Sequence, residues 1–329
     1  MRRREFIILL GGAAAAWPLS AQAQQGRMRR IGVLMAYAET DLEAKKWIAA
    51  FDRRIAELGW KAGSNVTIEY RWAGETLELI RAAAAELVGL RLEVMLASNT
   101  PATGALLQAT RTIPIVFVNI SDPIGSGFIA NLPRPGGNVT GFIPIEPPLG
   151  GKWISLLKET VPRISSVAFM HNPQTAPFAG EFIRHAETAA ALNGWRFIAV
   201  PVHDADGIDS IIALAAREAN GSLIVLSSAF TTAHRGRIIA AAAQHRLPAI
   251  YGFRYFAADG GLMSYGNDMN QMFSNAASYV DRILKGERPG DLPAQTPTKF
   301  EWVINLKTAK AIGIEVPNSA LLLADETIE

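Results

Sequence analysis

The sequence predicts an α/β protein of two lobes, each built around a parallel β-sheet. From residue 30 onwards, short apolar runs alternate with amphipathic helical segments, which is the pattern of repeated βα units. A stretch dense in proline and glycine, residues 133–141, interrupts this alternation once before it restarts. Because repeated βα units favour a parallel sheet that is covered on both faces, two such series indicate two α/β lobes.

The first series begins with a buried strand over residues 31–35. A helix over residues 41–58 follows, since Trp47, Phe51 and Ile55 recur at helical spacing and Gly59 suits its end. The remaining predicted elements of this series are a strand at 66–72, a helix at 77–90, a strand at 94–97, a helix at 103–110 and a strand at 115–118.

The second series follows the proline- and glycine-rich stretch. Its predicted helices span residues 151–161, 176–193, 208–219 and 231–245, and its predicted strands span 166–171, 197–201, 223–226 and 249–252. In the last third of the chain, the sequence predicts a strand at 261–265, a helix at 267–284, a strand at 300–305 and a short helix at 306–312. These elements are too few for a separate core, so we expect them to complete the two sheets and the chain to cross between lobes several times, which favours hinge motion.

Polar side chains follow two neighbouring strands where each strand ends. Ser98, Asn99 and Thr100 come after residues 94–97, and Asn119, Ser121 and Asp122 come after residues 115–118. Ligands of open α/β sheets bind at the carboxyl ends of the strands, and a threonine followed by a proline suits a helix start with free N–H groups. Hydroxyls, an amide, backbone N–H groups and one carboxylate are the groups that a small zwitterion could use.

Composition and motifs argue against several other classes of protein. Arg2, Arg3 and Arg4 against Glu5 account for the formal net charge of +2, so the rest of the chain is neutral and indicates no nucleic acid partner. The sequence has no cysteine, its five histidines lack metal-ligand spacing, and no cofactor is expected. Residues 125–130 match a G-x-G-x-x-A pattern, but they lie too far past the preceding strand and lead into a proline turn, so we interpret them as a connection between lobes.

The N-terminus has the anatomy of an export signal. Three arginines precede an apolar stretch over residues 6–16, and Ala21-Gln22-Ala23 forms a small-x-small cleavage site. The segment Arg3-Arg4-Glu5-Phe6-Ile7 is also compatible with twin-arginine export. We therefore expect residues 1–23 to be removed and the mature chain to begin near Gln24 in the periplasm.

With these residues in view, the chain from about Arg30 to Glu329 resembles the type I periplasmic substrate-binding proteins of ABC importers, in the branch that includes tryptophan- and tyrosine-type binding proteins. The segments that carry the resemblance are Ser98-Asn99-Thr100-Pro101-Ala102, Ile113-Pro114-Ile115-Val116-Phe117, Asp122-Pro123, Arg134-Pro135-Gly136-Gly137-Asn138-Val139-Thr140-Gly141, Lys152, Pro162 and Asn305-Leu306-Lys307-Thr308-Ala309. Relatives often have apolar residues where this chain has Asn119-Ile120-Ser121. The resemblance implies two Rossmann-like lobes with parallel sheets, three crossovers between them, and a ligand held in the cleft, typically an amino acid and often an aromatic one.

On this basis we expect one lobe from residues 27–143 plus 255–298 and the other from residues 144–254 plus 299–329. The expected ligand-binding residues are Tyr37, Ser98, Asn99, Thr100, Ser121, Asp122, Asn172, Ser227, Ser228 and Tyr251. Among them, Ser98, Asn99 and Thr100 would hold a carboxylate, Asp122 an ammonium group, and the two tyrosines would bracket the side chain. The expected protein is a monomeric, non-enzymatic partner of a membrane permease, and its expected ligand is an amino acid, which could be aromatic, or a related carboxylate. An exported sensor module and an exported hydrolase acting through His171 and a serine stay open as alternatives.

Overall fold

The computed structural model of the protein describes residues 28–74 and 76–329. The predicted export signal lies outside these residues. Within them, helices and strands alternate as the sequence predicts, and the strands form two sheets. None of the helices in this part of the chain combines the length and apolar character needed to cross a membrane.

The first sheet has five parallel strands in the order β2-β1-β3-β4-β5. Its strands are β1 (Arg29–Met35), β2 (Val66–Trp72), β3 (Val94–Ala97), β4 (Ile115–Val118) and β5 (Val139–Phe142). The helices between them are α1 (Leu42–Glu57), α2 (Leu77–Gly89) and α3 (Thr100–Ala109). β5 falls at the end of the segment that the sequence indicated only as turns, and it pairs with β4 at the edge of the sheet.

The second sheet has seven strands in the order β12-β11-β10-β9-β8-β6-β7. Its strands are β6 (Ser166–His171), β7 (Arg196–Pro201), β8 (Leu223–Val225), β9 (Ala249–Tyr251), β10 (Met263–Gly266), β11 (Glu301–Asn305) and β12 (Glu326–Ile328). The helices of this part are α4 (Leu149–Thr160), α5 (Ala179–Leu192), α6 (Gly207–Arg217), α7 (Ala229–Ala233), α8 (Arg235–Gln244), α9 (Arg254–Ala258), α10 (Met269–Leu284), α11 (Leu306–Ala311) and α12 (Asn318–Leu323). The helix predicted over residues 231–245 is divided into α7 and α8, and α9, α12 and β12 were not predicted.

One pair of strands in the second sheet departs from the predicted parallel arrangement. β10 and β11 pair antiparallel, whereas the other neighbours are parallel. The chain leaves the second sheet after β10 to form α10, which packs against α1 and strands of the first sheet, and it returns to begin β11. The end of β10 and the start of β11 must therefore both lie at the junction of the lobes, so adjacent strands have to run in opposite directions.

The chain crosses between the lobes three times, through residues 143–148, 267–268 and 296–300. The sequence placed residues 255–298 together in the first lobe, and here the structure differs. β10 pairs with β9 and β11, so residues 255–266 belong with the second sheet, whereas α10 packs on the first. The apolar run of β10 resembles any buried strand, and only the pairing decides its sheet.

Glycine permits the close approach of β10 to the loop after β9. A Cβ atom at Gly266 would lie 1.7 Å from the carbonyl oxygen of Gly252, which is far inside van der Waals contact. Any larger residue would have to push the end of β10, which leads to the second crossing, away from the loop after β9.

We therefore expect Gly266→Ala to lower the free energy of unfolding by about 1–3 kcal/mol, which is typical of overpacking. The matched control is Gly180→Ala, in the exposed first turn of α5, where an added Cβ meets nothing within 4 Å. Alanine there should raise stability by about 0.4–1 kcal/mol because it restricts the unfolded chain. Urea unfolding of both variants measures the difference, and equal effects would contradict the proposed close contact.

Candidate functional site

The carboxyl edges of the two sheets face each other. Asp41 lies in the loop after β1 and Arg235 begins α8 beyond β8, yet Arg235 Nη1 donates to Asp41 Oδ2 at 3.0 Å. The Trp47 ring of α1 lies 5.7 Å from the Tyr255 ring of α9, centroid to centroid. Both contacts join segments that follow strand ends, so these segments of the two lobes meet at the junction between the sheets.

Arg235 is the most heavily partnered charge between the lobes. Its Nε donates to Asp259 Oδ2 at 2.8 Å, and its guanidinium lies 5.8 Å from the centre of the Tyr255 ring. Burial disfavours its charge, but Asp259 and Asp41 together outweigh burial and raise the pKa of Arg235. Local sequence patterns gave no signal for this residue, because its interlobe partner lies 194 positions away.

Asp41 has two roles at once. Its Oδ1 accepts from the backbone N–H groups of Glu43 and Ala44, at 2.9 and 3.0 Å, and so caps α1. Its Oδ2 accepts from Arg235. The carboxylate therefore joins the start of α1 in the first lobe to the start of α8 in the second.

The predicted serine and asparagine after β3 are buried and hold the loops together. Ser98 Oγ accepts from Ala36 N at 2.9 Å. Asn99 Oδ1 accepts from Ala102 N at 3.1 Å and caps α3, while its Nδ2 donates to Ala36 O at 3.3 Å. Both side chains thus tie the end of β1 to the end of β3 and set the position of the α3 N-terminus.

Thr100 differs from these two neighbours. It is the first residue of α3 and half-buried. Its hydroxyl makes no hydrogen bond to the other residues that the structure describes. A small anion at this helix start would meet that hydroxyl together with the partial positive charge of the helix N-terminus.

The loop after β4 adds further polar groups. Asn119 has a positive φ of 60°, and its Nδ2 donates to the Tyr37 hydroxyl at 3.0 Å. This contact joins the loops after β1 and β4, and it makes Asn119 a site residue that the predicted set left out. Asp122 Oδ1 accepts from Gly125 N at 2.7 Å and shapes a turn, whereas the half-buried Ser121 hydroxyl has no partner among residues 28–74 and 76–329.

In the second lobe, Asn172 and Ser228 are joined through Thr175. Asn172 Nδ2 donates to Val202 O at 2.8 Å and its Oδ1 accepts from Thr175 N at 2.8 Å. The hydroxyls of Thr175 and Ser228 lie 3.0 Å apart. Ser228 also caps α7 through Thr231, so this polar group is preformed at the carboxyl ends of β6 and β8.

Besides Ser98, Asn99 and Asn172, whose polar atoms bind backbone groups, two further predicted residues are not placed for ligand contact. Tyr251 is 1% exposed, and its ring stacks on Phe256 with centroids 4.9 Å apart in the core of the second lobe. Tyr251 therefore cannot bracket a ligand in this structure, because its position in β9 directs the ring into the core. Ser227 is also buried, and its Oγ packs against Gly252. A Cβ atom added at Gly252 would lie only 2.6 Å from this Oγ.

Tyr37, the other predicted tyrosine, lies in an aromatic cluster between the lobes. Its ring meets the edge of Trp47 with centroids 5.3 Å apart, and Trp47 also stacks on Phe273 of α10. Burial is the main cause that raises the pKa of Tyr255, the second-lobe member of the cluster, well above its usual value. The cluster forms an aromatic wall that is buried in this structure, and its members Trp47 and Tyr255 line a cavity between the lobes.

The residues considered as catalytic groups of a hydrolase, His171 and a serine, do not form a catalytic arrangement in the described part of the chain. His171 ends β6, and burial lowers its pKa. Its Nδ1 has no partner, and no serine hydroxyl or carboxylate there hydrogen-bonds to its ring. Residues 28–74 and 76–329 also contain no group of three or more acidic or histidine side chains arranged to hold a metal ion.

Comparison with known proteins gives consistent likenesses. The model of the family described as ABC transporter substrate binding protein matches residues 44–328. A tyrosine-binding protein of Clostridioides difficile (strain R20291) is 22% identical over 292 residues, which cover 88% of this chain and 82% of the relative.

Solved structures agree with the fold class predicted from the sequence. A conserved domain protein of Vibrio cholerae has a TM-score of 0.84 at 26% identity, over 92% of this chain and 100% of that one. An ABC domain of Streptococcus pneumonia in complex with L-Trp has a TM-score of 0.83 at 23% identity, with the same coverage. The two-lobed type I periplasmic binding protein fold is thereby confirmed.

The ion pair between the lobes leads to a prediction about lobe opening. Arg235→Gln removes the charge that joins Asp41 to the second lobe, so the ligand-free protein should open and its radius of gyration should increase. Small-angle X-ray scattering measures this change. Arg237→Gln is the matched control, because Arg237 pairs with Asp206 and Asp209 inside the second lobe and should leave the scattering curve unchanged. Identical curves for the two variants would show that the pair does not hold the lobes together.

Proposed function

Because the chain belongs to the ABC transporter substrate binding protein family, we propose that it is the periplasmic binding subunit of an ABC importer and captures an amino acid with an aromatic side chain. The observation that carries this proposal is the pairing of polar strand ends with an aromatic wall in one cleft between two lobes. A relative named as a tyrosine-binding protein and a similar structure with bound L-Trp support the choice of ligand.

The carboxylate of the ligand would bind at the start of α3. Thr100 supplies a hydroxyl, and Asn99 and Ser98 fix the loop that presents the helix N-terminus. Helix N-termini bind anions because the helix dipole favours negative charge and N–H groups of the first turn lack partners within the helix. In α3, Pro101 has no N–H and Ala102 N donates to Asn99, so the N–H and the hydroxyl of Thr100 would bind the carboxylate. Preformed loops reduce the conformational entropy lost on binding, which improves affinity.

The ammonium group of the ligand would lie beside Asp122 and Ser121. Asp122 uses Oδ1 in the turn with Gly125 N, which leaves Oδ2 for a ligand. The hydroxyls of Thr175 and Ser228 would contribute from the second lobe, so closure completes the set of partners. Tyr37 and the neighbouring aromatic cluster would pack against the side chain of the ligand.

Closure between lobes would then form the surface that the permease recognises. A ligand that contacts both lobes binds the closed state more strongly than the open state, and it shifts the population accordingly. The export signal predicted at the N-terminus supports a periplasmic location, where such a subunit meets its permease.

Calorimetry with the mature chain tests the proposed ligand. L-Tyr and L-Trp should bind, whereas tyramine, which lacks the carboxylate, and 3-(4-hydroxyphenyl)propionate, which lacks the amine, should each bind at least about tenfold more weakly, since each loses a charged partner. L-Leu tests the role of the aromatic wall and should also bind more weakly. Absence of binding by both aromatic amino acids would refute the ligand class.

Asp122→Asn tests the ammonium partner. The substitution keeps the Oδ1 acceptor of the turn but removes the charge, so affinity for the bound amino acid should fall at least about thirtyfold. Asp204→Asn is the control, since Asp204 Oδ1 accepts from Gly207 N at 2.9 Å in an equivalent turn outside the proposed site. A change below about fivefold at Asp122, with thermal stability intact, would restrict Asp122 to its role in the turn.

A further inference from the structure

The three crossings between the lobes border a cavity of about 180 Å³ that is open to solvent, which we call the hinge cavity. Ile143 comes from the first crossing, which follows Phe142 at the end of β5, Asn267 and Asp268 come from the second, and residues 296–299 come from the third, which follows Gln295. One face of α10 closes the cavity from the first lobe. The proposed amino-acid site uses none of these residues.

Asn267 places an unpartnered polar group at this cavity. The residue is 8% exposed, and its Oδ1 is buried without a hydrogen bond among residues 28–74 and 76–329. Buried polar atoms are nearly always partnered, and leaving one without a partner is costly. An acceptor oxygen in this position is suited to a ligand that brings an O–H or N–H donor.

The other polar groups of the wall are mostly neutral. Gln271 Nε2 donates to Asn275 Oδ1 at 2.9 Å, and Gln295 Nε2 donates to the Tyr279 hydroxyl at 2.9 Å. Two threonines add hydroxyls. Amides and hydroxyls both donate and accept, which matches ligands whose groups do the same.

The charges at the cavity are already engaged. Lys299 Nζ lies 3.1 Å from Glu301 Oε1, and Asp268 Oδ1 accepts from Asn270 N at 2.8 Å to cap α10. Phe142, Met272 and Pro297 provide apolar surface. A neutral molecule with several hydroxyls and exposed C–H faces fits this combination better than an ion does.

From this geometry, we propose that the hinge cavity is a second ligand site, which binds a small neutral polyol or sugar through Asn267 and the amides of α10. Its hydroxyls would donate to Asn267 Oδ1 and exchange hydrogen bonds with Gln271 and Asn275, while its C–H face packs against Phe142 and Met272.

Occupation of this site would be coupled to lobe closure. Ile143 N donates to Gln295 O at 2.8 Å, so the first and third crossings move together on the side of the first lobe. A second cavity, lined by Trp47 and Tyr255 between the lobes, shares Asn267, Asp268 and Glu301 with the hinge cavity. A change in the angle between the lobes therefore changes the shape of the hinge cavity. By thermodynamic linkage, a bound polyol changes the affinity for the cleft ligand by the same factor by which the cleft ligand changes the affinity for the polyol. This coupling rests on the proposed function, whereas the polyol site does not.

The test titrates the mature protein with erythritol, D-ribose and D-glucose, without any amino acid, and follows the backbone amides of α10 by NMR. At least one probe should give saturable shifts at α10 with a dissociation constant in the millimolar range or tighter. Asn267→Ala and Gln271→Leu should each weaken binding about fivefold or more, the effect of one lost hydrogen bond. Ser274→Ala, on α10 but outside the cavity, should bind as the natural chain does.

Two results would overturn the site: no saturable shift with any of the three probes, or equal binding by the natural chain and both cavity variants. Having two cavity variants protects the test if one of them folds poorly. A probe that binds at α10 but leaves the affinity for L-Tyr or L-Trp unchanged would retain the site and refute the coupling. If no aromatic amino acid binds at all, the proposed function fails and the polyol titration still decides the second site.

Discussion

The common direction of the strands in the first sheet is the constraint on which the candidate site depends. All five strands are parallel, so each ends at the same edge, and the loops that follow them are brought together regardless of their distance in sequence. The second sheet presents the corresponding edge across the cleft through β6, β8 and β9. Because the chain passes between the lobes at one side only, these two edges can approach each other without breaking either sheet.

This arrangement needs side chains that bind backbone groups rather than ligand. Ser98, Asn99 and Asn172 all follow strands, and all use their polar atoms to hold neighbouring loops. Their buried hydrogen bonds keep the less buried groups, such as Thr100 and Ser121, in fixed positions. The polar residues at the strand ends are therefore of two kinds. Some hold the loops at the sheet edge in place, and others keep polar atoms available for a ligand.

The sequence predicted the alternation of helices and strands well because buried strands and amphipathic helices have clear periodicity. β5 was missed, since its four residues follow a run of glycine and proline whose signal is that of a turn. The prediction that Tyr251 contacts the ligand was wrong, because the sequence of an apolar strand that is buried on both faces does not reveal to which face each side chain points. Arg235 was missed for a different reason: its partner Asp41 lies in another strand-end loop, and no local pattern contains that information. Asn119 was recognised in the polar cluster after β4, but its contact with Tyr37 could not be read from the sequence.

The passage of the chain out of the second lobe and back has a consequence for how the protein folds. α10 covers the face of the first sheet and packs on α1, but it begins at Met269, long after the last strand of that sheet ends at Phe142. Apolar side chains such as Val94, Val116 and Phe273 meet only when both parts are present. During synthesis the first sheet therefore remains incomplete until most of the chain has left the ribosome, and its strands cannot be buried early.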